Sequence, residues 1–103
     1  MDRLDDTLDL LGRLVGFPTV SADSNLDLIA ELANRLGDAG ARVDLFQDES
    51  GYKATLFATL GPDADGGLVL SGHTDVVPVT DQDWSSDPFD MLARDDAVFG
   101  RGT

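Results

Sequence analysis

An unbroken apolar run, Leu68-Val69-Leu70, lies between a glycine-rich loop and the string Ser71-Gly72-His73. A strand with one wet face alternates apolar and polar residues, whereas a run without alternation reads as a strand buried on both faces. Burial on both faces needs a layer on each side of a sheet. The run therefore predicts a central strand in an α/β layered domain.

The remaining segments supply pieces for such layers. Leu4, Leu8, Leu11 and Val15 recur at helical spacing with Asp5, Asp6, Asp9 and Arg13 between them, and Gly16 and Pro18 follow. This predicts an amphipathic helix with acids at the dipole's positive end. Leu28, Ile29, Leu32, Ala33 and Leu36 form the apolar face of a second helix, with Ser24 or Asn25 as its cap and Gly40 as its left-handed stop. Val43 and Leu45 predict a short strand, Asp48-Glu49-Ser50-Gly51 a turn, and residues 52–60 a strand of period two. Asp95-Asp96, flanked by Met91-Leu92-Ala93-Arg94 and Ala97-Val98-Phe99-Gly100, predicts a hairpin.

Composition narrows the function classes. The chain has 103 residues and a formal net charge of −13, with 18 of its 20 acidic residues being Asp. That charge argues against nucleic acid or an anionic membrane as a partner bound through a basic patch. There is no cysteine, so a metal would have to be held by His and carboxylates. No apolar run approaches the ~20 residues of a membrane span, and Asp2, Asp5 and Asp6 are the wrong charge for a signal peptide. A cytoplasmic location is the expectation.

The single histidine, His73, follows the apolar run, at the carboxyl end of the expected strand. That edge is where open α/β sheets bind ligands. Asp75 is two residues on, on the same side of an extended backbone. A carboxylate accepting one ring N–H fixes the imidazole tautomer and leaves the other nitrogen to a metal. Gly72 would give the backbone room for a close approach. Alone, His-x-Asp is a common arrangement, and an ordinary hydrogen-bonded structural or surface histidine explains it better. Ser71 with His73 and Asp75 does not make a hydrolase triad, since neighbours on one strand do not reach that geometry.

The wider string is more specific. Ser71-Gly72-His73-Thr74-Asp75-Val76-Val77-Pro78 is followed by Trp84-Ser85-Ser86-Asp87-Pro88-Phe89 and then by Val98-Phe99-Gly100-Arg101-Gly102-Thr103. Together with Phe17-Pro18-Thr19-Val20-Ser21 and the two leading helices, these motifs resemble the co-catalytic zinc aminoacylase/carboxypeptidase family (peptidase M20). The resemblance implies the N-terminal part of a zinc-peptidase-like αβα catalytic domain over residues 1–103, lacking the lid and dimerisation domain. It implies that His73 is a ligand to one of two zinc ions, with cobalt an alternative. It also implies that Asp75 is the catalytic carboxylate orienting His73, and that Trp84, Asp87 and Phe89 mainly pack the wall of the site. The family's bridging Asp, its glutamate general base and its other ligands do not occur in this sequence, so residues 1–103 alone are expected to be inactive.

The stretch Gly51-Tyr52-Lys53-Ala54-Thr55-Leu56-Phe57-Ala58-Thr59-Leu60-Gly61-Pro62 resembles the family's acetylornithine deacetylase branch, with Thr55 where that branch usually has Asn. The loop from Pro78 to Trp84 lacks the Pro-Pro-Gly common in desuccinylases. The resemblance thus implies deacetylation of an N-acyl amino acid, N-acetyl-L-ornithine in arginine biosynthesis, by a full-length protein that dimerises. Another amidohydrolase of the family, such as a succinyl-diaminopimelate desuccinylase or a carboxypeptidase, is the first alternative. A non-catalytic binding module derived from the family is the second.

Overall fold

The computed structural model describes residues 2–103. The chain forms two compact units, one built from residues up to Ala22 with Asp75–Thr103 and the other from Asp23–Thr74.

In the first unit, α1 covers Arg3–Val15. The carboxylate of Asp2 caps it by accepting from the Asp5 N–H at 2.9 Å, and Asp5 and Asp6 complement the dipole in the first turn. Along its apolar stripe, burial rises from Leu4, which is 64% exposed, to Val15, which is buried. A Cβ at Gly12 would lie 3.4 Å from Met91 Cε, an ordinary contact with the end of a flexible side chain, so the space there does not require glycine. Strands β3 (Leu92–Arg94) and β4 (Ala97–Phe99) pair antiparallel. Asp95 and Asp96 join them at φ 53° and 61°, the left-handed pair that a type I′ turn requires. Val20 and Val76 form an isolated parallel bridge, in which the Val76 N–H donates to Thr19 O at 2.9 Å and the Ser21 N–H to Val76 O at 3.0 Å. Thr19 is buried beside it in sequence.

In the second unit, α2 covers Leu26–Asp38 and buries Leu28 and Ile29. Its end is a Schellman motif. The Gly40 N–H donates to Gly37 O, the Ala41 N–H to Leu36 O, and Gly40 takes φ 94°. Strands β1 (Arg42–Gln47) and β2 (Ala54–Thr59) form an antiparallel hairpin in the register Leu45↔Leu56. The period-two reading holds for β2, where Ala54, Leu56 and Ala58 turn inward. It fails at Leu45, which is 52% exposed and lines an open groove with Leu26, Ile29, Ala30, Gln47 and Ala54. Asn25 stands at the N-cap position but makes no capping bond with its side chain. Ser24 Oγ accepts the Leu26 N–H instead, at 3.2 Å. The Asn25 amide pairs with the Ala54 backbone, Nδ2 donating to Ala54 O and Oδ1 accepting from Ala54 N, each at 2.9 Å. One side chain thereby ties α2 to the first residue of β2.

The mixed α/β class agrees with expectation, as part of such a domain rather than a whole catalytic one. The central strand does not. Leu68, Val69 and Leu70 are 85%, 77% and 87% exposed and belong to no strand. A central strand needs a neighbour on each edge to take its N–H and C=O groups. Among the described residues the sheets are β1–β2 and β3–β4, and residues 68–70 join neither. The apolar pattern records which surroundings the segment suits, and here those surroundings are absent.

Candidate functional site

His73 is exposed and lies near the end of the unit formed by Asp23–Thr74. It does not close a buried strand, because the run before it is exposed. Gly72 has open space around it, with nothing within 4 Å of an added Cβ, so no close approach explains that glycine among the described residues. Those residues bring together no group of three or more His, Cys, Asp or Glu side chains able to hold a metal ion. A defined zinc site takes about four ligands. Among the described residues, His73 is the one imidazole donor and no metal centre is assembled.

Asp75 opens the second stretch of the other unit. Its Oδ2 accepts a hydrogen bond from Ser21 Oγ at 2.6 Å, a length typical of a hydroxyl donating to a charged carboxylate. The Val20–Val76 bridge brings the two residues together, since it sets Ser21 and Asp75 on adjoining backbones. Sequence reasoning missed Ser21 as a partner. The two residues are 54 positions apart, so no local spacing could reveal them; only the Phe17-Pro18-Thr19-Val20-Ser21 string drew attention to the segment.

Beyond Asp75 the loop is held by its own polar contacts. Gln82 Oε1 accepts from Trp84 Nε1 at 2.9 Å and from an Arg101 guanidinium nitrogen. The same nitrogen donates to Pro78 O at 3.3 Å, and the guanidinium lies 5.1 Å from the Trp84 ring centroid. Asp87 Oδ1 accepts from the Phe89 N–H at 2.9 Å, closing a local turn. Trp84 and Phe89 are half-buried. Trp84 and Phe89 are thus partly packed within their own unit, whereas Asp87 is exposed and closes a turn.

No protein-family model matches the chain. Pairwise similarity is more informative. The chain is similar to acetylornithine deacetylases. It is 37% identical to the acetylornithine deacetylase of Pasteurella multocida over 110 aligned positions, which take in 100% of this chain and 28% of the relative. It is 36% identical to that of Shigella sonnei (99% of this chain, 28% of the relative). To that of Photorhabdus laumondii it is 37% identical (98% and 28%). The chain therefore spans a little over a quarter of the length of the deacetylases it matches, which fits the N-terminal portion expected from sequence.

Proposed function

We propose that the chain contributes to a metal-dependent amide hydrolase that removes the acetyl group from N-acetyl-L-ornithine, as part of the catalytic domain of a longer protein. The observation that carries this reading is similarity to acetylornithine deacetylases across the whole chain, with the string around His73 inside the aligned region. In this reading His73 is one ligand of a zinc centre whose remaining ligands lie outside the chain. A bound zinc would polarise the scissile carbonyl and acidify a water. In the same reading Asp75 is the carboxylate that would fix the tautomer of the His73 ring and orient it. The Ser21 hydroxyl in turn holds one carboxylate oxygen of Asp75.

The branch of the family is tested by substrate choice. Purified longer protein should hydrolyse N-acetylornithine with a much higher kcat/KM than N-succinyl-diaminopimelate. Preference for the succinylated substrate would move the chain to the desuccinylases. Turnover of neither, with metal bound, would favour a binding module.

A further inference from the structure

Arg101 is the point on which the segment after Asp75 converges. Its guanidinium donates to Pro78 O at one end of the loop and to Gln82 Oε1 in the middle, and it faces the Trp84 ring at the other end. Its own backbone N–H donates to Pro88 O at 2.7 Å, so the residue is anchored before its side chain reaches out. Its Nε is shielded from solvent, with no hydrogen-bond partner among the described residues. An orphaned N–H is unfavourable, so the remaining contacts must hold the group in place against that cost. Between the two acceptors lies Asp81 at φ 60°, a left-handed conformation uncommon outside glycine, although Asp tolerates it better than most residues. Such a backbone persists where its surroundings over-determine it. Between Pro78 and Asp90 the sequence contains no Lys or Arg, so no cation within the loop substitutes for Arg101.

We propose that Arg101 is a positioning residue that fixes the shape of residues 78–84 and, in the deacetylase reading on which this rests, thereby tunes substrate binding rather than the chemical step. That Arg101 acts apart from the Asp75 segment follows from the contacts. The Val76 backbone is held by Thr19 and Ser21, and Asp75 by Ser21, and Arg101 takes part in neither arrangement. Releasing the guanidinium loosens the loop and leaves the Asp75 segment pinned.

The chain's single tryptophan, Trp84, gives a local readout. In the full chain, Arg101→Met should shift Trp84 emission to longer wavelength and raise its quenching by acrylamide, with far-UV circular dichroism unchanged. Gln82→Met should reproduce part of that change, and Arg101→Lys should fall between Arg101→Met and wild type. Should Arg101→Met fail to fold, Gln82→Met and Arg101→Lys decide the matter. Trp84 emission and quenching that match wild type in the folded variants would overturn the clamp. In the longer protein, Arg101→Met should raise KM about tenfold and leave kcat within about threefold, the pattern of lost uniform binding. A fall in kcat at constant KM would overturn the division of roles. If the longer protein hydrolyses no acylated amino acid, the deacetylase reading fails, and the fluorescence result still decides the clamp.

Discussion

A carboxylate that already accepts a short bond from a serine is held differently from one that faces only water. Ser21 Oγ fixes one oxygen of Asp75, which limits the rotation of the carboxylate. In the longer protein, Asp75→Asn should keep most of the metal and lose about 10- to 100-fold in activity, the usual cost of removing a carboxylate that orients a ligating histidine. Ser21→Ala should lower activity by less, because the carboxylate stays and only its orientation loosens. Both effects are read from kcat/KM beside metal content in the same preparations. Wild-type kinetics in Asp75→Asn would remove that residue from the mechanism. Asp75 was visible as a candidate in sequence through its spacing from His73, whereas Ser21 was not, since its contact depends on a parallel bridge between distant segments.

At the scale of elements, what local physics controls was legible. Both helices, the Gly40 stop, the period-two strand and the Asp95-Asp96 hairpin rest on spacing, caps and turn conformations that neighbouring residues set. Choices between partners were not legible. Asn25 is a good cap by type, yet its amide pairs with the Ala54 backbone. Asn25→Ala removes both bonds and leaves the N–H of buried Ala54 without its acceptor. It should destabilise the second unit by about 1–3 kcal/mol, measured by urea unfolding, and an unchanged midpoint would contradict the tie. The β1–β2 turn carries a pH signature. The Ser50 hydroxyl, donating to Asp48 at 2.6 Å, is the largest cause holding that carboxyl below its ordinary value; backbone N–H donors such as Gly51 add to it and slight desolvation opposes it. A depressed pKa in the folded state gives stability that is present above the unfolded value, about 3.9, and is lost as pH falls through the lower folded value. The Asp48 carboxyl resonance should therefore titrate below the ordinary aspartate value, and Ser50→Ala should move its midpoint upward. A midpoint unmoved by that substitution would assign the effect elsewhere.

For the molecule as a whole, the largest departure from sequence reading is at Leu68-Val69-Leu70. The pattern correctly marks an apolar segment, but a central strand exists only where other strands flank it, and none of the described strands does so. The same limit applies to the candidate site. His73 was legible because it is the single histidine and stands in a string that resembles a family motif, but a metal centre is a meeting of several donors, and the described residues do not assemble one. The length of the similar deacetylases, of which this chain spans 28%, leaves room for the remaining donors elsewhere. If His73 donates to a metal on which amide hydrolysis depends, metal content and N-acetylornithine turnover should fall together when the longer protein carries His73→Ala. Reduced zinc content with abolished hydrolysis in that variant is the expected result; unchanged zinc stoichiometry with retained turnover would remove His73 from the metal site.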